Sequence, residues 1–319
     1  MGTDELPEDE DFRRAYEAAL EQYGGNRDVS GIDIGFRSDP GPSGDLIAVR
    51  IHARRTVEIP VLHHGVAQIQ ERIPGIPLEI LRADYVPQQD SSSPRLVRRD
   101  PIQPGISVGH PRATAGTLGV IVTDRSDQRQ LAVLSNWHVL AGPKGRAGDP
   151  VIQPGPEDGG TAEAAFAKLE RFILNEDGDA AIALLDGARR IVKEQFESNV
   201  KLSTFRVVRL GDVVEKSGST TAVTRGRVDG IGRYFLTFDG AGRVGIDGFR
   251  IVTIRPGNPD NEEISSGGDS GSCWYVPDTK EGVGLHFGGE SDPSPRKEHA
   301  VACHLPRVFK ALDIDLSVD

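Results

Sequence analysis

The sequence predicts a mainly β protein headed by a small α+β module. Three observations carry this expectation. The 319-residue chain contains 38 glycines and 21 prolines, the composition of a turn-rich fold. Short apolar runs bounded by glycine and proline recur from residue 116 to residue 287. Helical periodicity is confined to one stretch near each end.

The elements follow in order. An acidic run at residues 4–11 leads into Phe12, Ala15, Tyr16, Ala19, Leu20 and Tyr23, one face of an amphipathic helix. Acidic residues suit its positive N-terminal end, and Gly24-Gly25 stops it. Ile32, Ile34 and Phe36 alternate in a strand over 29–36. Asp39-Pro40-Gly41-Pro42 and Gly44 make a turn, and Ile47, Val49 and Ile51 alternate in a second strand. Residues 78–86 give a third. These form a module over 1–86. Residues 87–100 are polar and rich in proline and serine, and read as a linker. From 101 to 319, strand-like runs at 116–123, 131–140, 179–185, 205–209, 233–238, 249–254, 272–276 and 282–287 suggest a sandwich or barrel. Leu305, Val308, Phe309 and Leu312 end the chain at helical spacing. No repeat of fixed period is present.

Composition removes several function classes. The formal net charge of −11 disfavours nucleic acid and anionic membrane surfaces as partners. No run of 18 apolar residues is present, and the N-terminus lacks the basic and apolar segments of a secretory signal. The two cysteines, Cys273 and Cys303, do not make a disulfide framework and point to a reduced, cytoplasmic setting. The histidines outside the motif below lack metal-ligand spacing, and no glycine-rich stretch carries the Lys-Ser/Thr of a phosphate loop. Neither metal nor cofactor is expected.

The strongest local signal is Gly267-Gly268-Asp269-Ser270-Gly271-Ser272. A serine hydroxyl needs a base and a cradle to act as a nucleophile. Glycines let the backbone turn sharply and aim N–H groups at one point. The N–H groups of Gly268 and Ser270 are the candidates for an oxyanion site. His138, in Leu134-Ser135-Asn136-Trp137-His138, is the candidate base, read as closing an apolar strand. The acid comes from Asp177-Gly178-Asp179. Both carboxylates can share a face, and Asp179 is preferred because it abuts the apolar strand. The order His138, Asp179, Ser270 has spacings of 41 and 91 residues (179 − 138 and 270 − 179). It matches the chymotrypsin order and differs from that of subtilisin and the α/β-hydrolases.

With these residues in view, 101–319 resembles the trypsin-like serine peptidases, most closely bacterial relatives of the plant Narrow Leaf proteases. The likeness rests on Ser107-Val108-Gly109-His110-Pro111, Thr114-Ala115-Gly116-Thr117-Leu118-Gly119, Leu134-Ser135-Asn136-x-His138-Val139-Leu140 and 148–156. It continues through Asp179-Ala180-Ala181-Ile182-Ala183, Lys216-Ser217-Gly218 and Gly268-Asp269-Ser270-Gly271-Ser272. The N-terminal module also looks like the one such enzymes carry. The resemblance implies two six-stranded β-barrels with a cleft between them, His138 and Asp179 from the first and Ser270 from the second. Trp137 departs from the set's usual Asn, and His286-Phe287-Gly288-Gly289-Glu290 departs from a more apolar segment.

The resemblance also places the base of the primary specificity pocket six positions before the serine, at Ile264, with a wall formed by His286, Phe287 and Gly288. A base without a carboxylate implies a preference for small or medium apolar residues, because it cannot compensate a buried guanidinium. The alternative is that Glu263 or Glu290 swings in. The expected function is a serine endopeptidase acting on peptide or protein substrates, with a homo-oligomer left open. The competing readings are a catalytically silent peptide-binding scaffold and an esterase.

Overall fold

The protein is described from a computed structural model, covering residues 9–38, 46–54, 60–83, 85–86, 94–126, 130–254, 263–290 and 298–317. The start of the acidic run, the turn at 39–44 and most of the expected linker lie outside the described residues.

Helix α1 (Glu10–Tyr23) begins at Asp9, whose carboxylate accepts the Asp11 N–H at 2.9 Å, an N-cap. Strands β1 (Val29–Phe36) and β2 (Ile47–Ala53) are antiparallel, and β3 (Leu78–Arg82) lies parallel to β2. That parallel pairing needs a crossover, which helix α2 (Pro60–Arg72) supplies. The sequence reading left this helix out. Its signal is Leu62, Val66, Ile69 and Ile73, all buried at i, i+4, i+7 and i+11. Both helices pack on β1 and β2 through a core that includes Tyr16, Tyr23, Leu62, Ile69, Ile32 and Ile51. The short strand β4 (Tyr85–Val86) leaves the module and pairs elsewhere.

The first barrel-forming sheet contains β5 (Ser107–Gly109), β6 (Ala115–Thr117), β7 (Val120–Asp124), β8 (Leu131–Ser135), β9 (Pro150–Ile152), β10 (Ala165–Asn175) and β11 (Gly178–Leu185). The last strand of the chain, β19 (Ile314–Leu316), adds to β7, giving eight strands in the order β19-β7-β8-β11-β10-β9-β5-β6. Among the described residues its end strands are unpaired with each other. The sheet nonetheless closes, because β6 runs on through Leu118 and Gly119 into β7: this one bent strand bonds β5 on one side and β8 on the other, and with β8, β11, β10, β9 and β5 it makes the expected six-stranded barrel, to which β19 adds outside.

The second sheet contains β12 (Thr204–Phe205), β13 (Val213–Gly218), β14 (Ala222–Phe238), β15 (Gly242–Thr253), β16 (Cys273–Val276), β17 (Glu281–Glu290) and β18 (His299–His304). The run β13-β16-β17-β18-β15-β14 closes on itself through β13–β14 pairing. This is the expected six-stranded barrel. Helix α4 (Leu305–Ala311) follows β18 and buries Leu305, Val308 and Phe309, as their spacing predicted. No helix among the described residues is long and apolar enough to cross a membrane.

The N-terminal module is not a detached appendage. β1 pairs antiparallel with β14, with Gly31 opposite Tyr234, so β1–β3 extend the sheet of the second barrel to eleven strands with β4 and β12 counted. The seam is polar and buried. The Arg50 guanidinium donates to both Asp33 oxygens at 2.7 Å, and the Tyr234 hydroxyl donates to Asp33 Oδ2 at 2.7 Å. His52 Nε2 lies 3.2 Å from the same oxygen. Burial pushes the Asp33 carboxyl upward, but Arg50 and His52 outweigh it and hold it well below its ordinary range. The end of the expected linker is likewise anchored. Arg95, fully buried, donates to Gly105 O, Ser217 Oγ and Gly218 O at 2.6–3.1 Å.

Candidate active site

The geometry around His138 follows from the strand register. β8 stops at Ser135, opposite Ala181 of β11. The chain leaving β8 therefore passes the start of β11, where Asp179 stands. Asn136 donates its side-chain amide to the Asp179 carbonyl at 2.6 Å. The chain then turns into a single-turn helix, α3 (Trp137–Leu140). His138 thus sits on this turn rather than on the strand, a correction to the sequence reading. Its backbone N–H donates to Asp179 Oδ1 at 3.2 Å, and its Nδ1 contacts Asp179 Oδ2. The Asp179 side chain is fully buried, whereas His138 reaches the surface at 12 % exposure. Asp177 turns away and accepts from Arg307 Nε at 2.8 Å.

The serine turn is held from both sides. The Thr117 N–H donates to Ser270 O at 2.7 Å, and Gly271 N–H to His286 O at 2.9 Å. Gly268 and Gly271 both have φ of +93°, a region open to glycine. A Cβ on Gly271 would stand 2.0 Å from Ser135 Oγ and 2.4 Å from Thr117 O, so no side chain fits there. Neither the Gly268 nor the Ser270 N–H donates to a backbone carbonyl among the described residues. Ser270 Oγ is likewise without a hydrogen-bond partner.

Asp269, between those two N–H groups, is fully buried and accepts five hydrogen bonds. Lys216 Nζ (2.9 Å), Thr221 Oγ1 (2.5 Å) and Ser266 N–H (3.0 Å) reach Oδ2. The Thr220 and Thr221 N–H groups reach Oδ1 at 3.0 and 3.1 Å. Burial disfavours the Asp269 carboxylate, but Lys216 and Thr221 more than offset this and lower its pKa. The sequence reading quoted Lys216 without assigning it a role.

His138 and Ser270 line one cavity of about 440 Å³ together with Arg112, Thr114, Trp137, Lys144, Phe238 and Asp239. Its far wall is the tip of the β14–β15 hairpin. The Phe238 ring lies 5.9 Å from the His138 ring and edge-on to Trp137 at 6.1 Å. The sequence reading missed Phe238, since nothing local marks a hairpin tip that reaches the opposite sheet.

The expected specificity residues are all below the surface. Ile264 is 1 % exposed and packs with Val228, Phe249 and Trp274. Phe287 belongs to the larger core around Leu134 and Ile182. His286 and Gly288 are buried on β17, with Gly288 opposite Val301. Burial, with Lys216 adding, pushes the His286 imidazole down to about 3, so it is neutral near pH 7. Glu290 stands 3.2 Å from His299 Nε2, and Glu263 is exposed.

The chain has the fold of the trypsin-like, chymotrypsin-type serine proteases. It is similar to a solved glutamic-acid-specific serine protease reported to use a histidine triad in substrate binding (TM-score 0.52, 18 % identity, 68 % of this chain and 100 % of that one). It is also similar to a Nocardiopsis protease (0.49, 17 %, 68 % and 99 %) and to Thermobifida fusca protease A (0.49, 15 %, 68 % and 99 %). No protein-family model and no curated protein matches the sequence.

Proposed function

We propose that the protein is a serine endopeptidase in which Ser270 is the nucleophile, His138 the base and Asp179 the orienting acid. The observation that carries this reading is His138, whose Nδ1 contacts buried Asp179 while its ring faces the cavity that Ser270 shares. With Nδ1–H held by Asp179, Nε2 is the basic nitrogen and takes the Ser270 proton as Oγ attacks the scissile carbonyl. The Gly268 and Ser270 N–H groups stabilise the oxyanion, where one donor is worth roughly 10²–10³ in rate. His138 then protonates the leaving amine, and water releases the acyl group by the same route. The two free, buried cysteines fit a reducing compartment such as the cytoplasm.

For the acyl-side residue, the proposal is a small or medium apolar side chain. The position six before the serine is Ile264, Asp269 is engaged with Lys216, and Glu290 is turned to His299. A positional-scanning peptide library reads this directly, and dominant cleavage after Arg, Lys or Glu would overturn it. The mechanism itself is tested with a fluorophosphonate probe. Labelling of the native chain at Ser270 is expected. A folded chain that resists the probe would leave the silent-scaffold reading in its place.

A further inference from the structure

A second cavity, of about 190 Å³, opens along the seam between the N-terminal module and the second barrel, lined by residues of both. Five arginines reach it: Arg37, Arg50 and Arg82 from the module, Arg227 and Arg250 from the barrel. Asp229 is the only carboxylate in this lining among the described residues. Arg50 is already neutralised, since its Nε and Nη2 donate to Asp33 and its Nη1 to Asp229 Oδ2. Arg250 is not satisfied in the same way. Its side chain is 9 % exposed, and its nearest carboxylate oxygen, Asp229 Oδ1, is 3.5 Å from Nε. Neither atom has a hydrogen-bond partner. Arg227, on the exposed side of β14, has a ring contact with Phe36 at 5.7 Å and no ion pair among the described residues. A buried guanidinium nitrogen without a hydrogen bond is costly. Here Arg250 and Arg227 face a cavity whose described lining holds the single carboxylate of Asp229, on a chain whose net charge is −11.

We propose that this seam is a binding site for a small phosphate-bearing anion, such as inorganic phosphate or diphosphate. The guanidinium fork matches phosphate oxygens two at a time, with charge-assisted bonds stronger than neutral ones. Arg250 supplies the buried fork and Arg227 the outer one, while Arg37 and Arg82 add charge from the module. A ligand held by arginines of both parts fastens β1–β3 to the barrel. Occupancy therefore stabilises the junction and leaves the catalytic cavity, lined by other residues, untouched.

The test uses the full chain at low ionic strength, where charge interactions are least screened. Calorimetric titrations with phosphate and with diphosphate are run on the native chain, Arg250→Gln, Arg227→Ala and, as a control outside the site, Arg98→Ala. The native chain and the control are expected to bind diphosphate more tightly than phosphate. Their melting temperatures should rise with either anion, but not with chloride at matched ionic strength. Arg250→Gln and Arg227→Ala are each expected to weaken binding at least tenfold. If Arg250→Gln fails to fold, the exposed Arg227→Ala decides alone. Absence of binding at millimolar anion, unchanged affinity in the folded seam variants, or an equal loss in Arg98→Ala overturns the proposal.

Discussion

Lys216 Nζ stands 2.9 Å from Asp269 Oδ2, and both side chains are fully buried. Asp269 lies between the two N–H groups assigned to the oxyanion. An ion pair made 53 residues away in sequence thus fixes the turn that presents the nucleophile. Replacing Lys216 by Met leaves a buried carboxylate without its cation, which costs about 3–5 kcal/mol. The expected result is a lower melting temperature and a kcat that falls far more than KM changes. A destabilised Lys216→Met with native kcat would reduce Lys216 to a purely structural role.

For the triad, Ser270→Ala and His138→Ala should each cost on the order of 10⁶ in turnover, because its members act as a unit. Asp179→Asn removes the acceptor that holds His138, and about 10⁴ is expected. Asp177→Asn should be nearly silent, since Asp177 is engaged with Arg307. Steady-state kinetics on folded variants decides. A damaging Asp177→Asn beside a mild Asp179→Asn would reverse the assignment.

Two buried histidines make stability depend on pH. Burial takes His286 down to about 3 and His304 to about 4, from an ordinary 6.5. Between 6.5 and 4 the unfolded chain therefore binds protons that the folded chain refuses. Stability is full above pH 6.5 and falls as pH drops, by up to about 2.7 kcal/mol per unit for two groups. Below about 3 both states are protonated and this loss stops. Urea midpoints from pH 4 to 8 measure the slope, and His286→Gln should halve it. A flat profile over this range would sink the argument.

Cys273 and Cys303 lie on strands that flank β17, each opposite Leu285. Both are free, and burial pushes their thiols up to about 12. Such thiols are poor nucleophiles. Reductant should leave melting temperature and activity unchanged, and iodoacetamide should modify neither cysteine without denaturant. A large drop in melting temperature on reduction would reveal a bridge.

The seam bears on truncation. A fragment of residues 99–319 carries all three triad residues. In the folded chain, that fragment lacks β1 along the edge of β14 and leaves the Tyr234 hydroxyl without Asp33. An exposed edge strand is a template for association. Size-exclusion chromatography is expected to show the fragment self-associating, where the full chain does not. Within the full chain, Asp33→Asn should destabilise by about 3–5 kcal/mol, because buried Arg50 loses its two-bond carboxylate partner and keeps its 3.1 Å bond to Asp229. A soluble, monomeric fragment that labels with the probe would show that the second barrel stands without β1.

The parts legible in the sequence were those whose signal is local. Ile32 and Ile34 alternate because β1 has a module core on one side, and Phe12 to Tyr23 repeats because α1 buries one stripe. The glycines around Ser270 were legible because backbone turns of that kind exclude side chains. What stayed hidden depends on distant partners. Nothing near Asn136 says that its amide will end β8 by binding Asp179. Lys216 reads as an ordinary surface cation until β13 places it beside Asp269. Asp33 and Arg50 carry no local mark of burial, because β14, about two hundred residues later, covers them.

That distance has a consequence for how the chain is made. Gly31 and Tyr234 are 203 residues apart (234 − 31) yet directly opposite. At about 5–20 residues per second of synthesis, the ribosome takes roughly 10–40 s to deliver β14 after β1. Through that interval β1 has β2 on one side and an open row of backbone donors and acceptors on the other. Asp33 sits on that waiting edge, paired with Arg50 of β2 behind it, a charge that discourages a stray strand from joining before Tyr234 arrives.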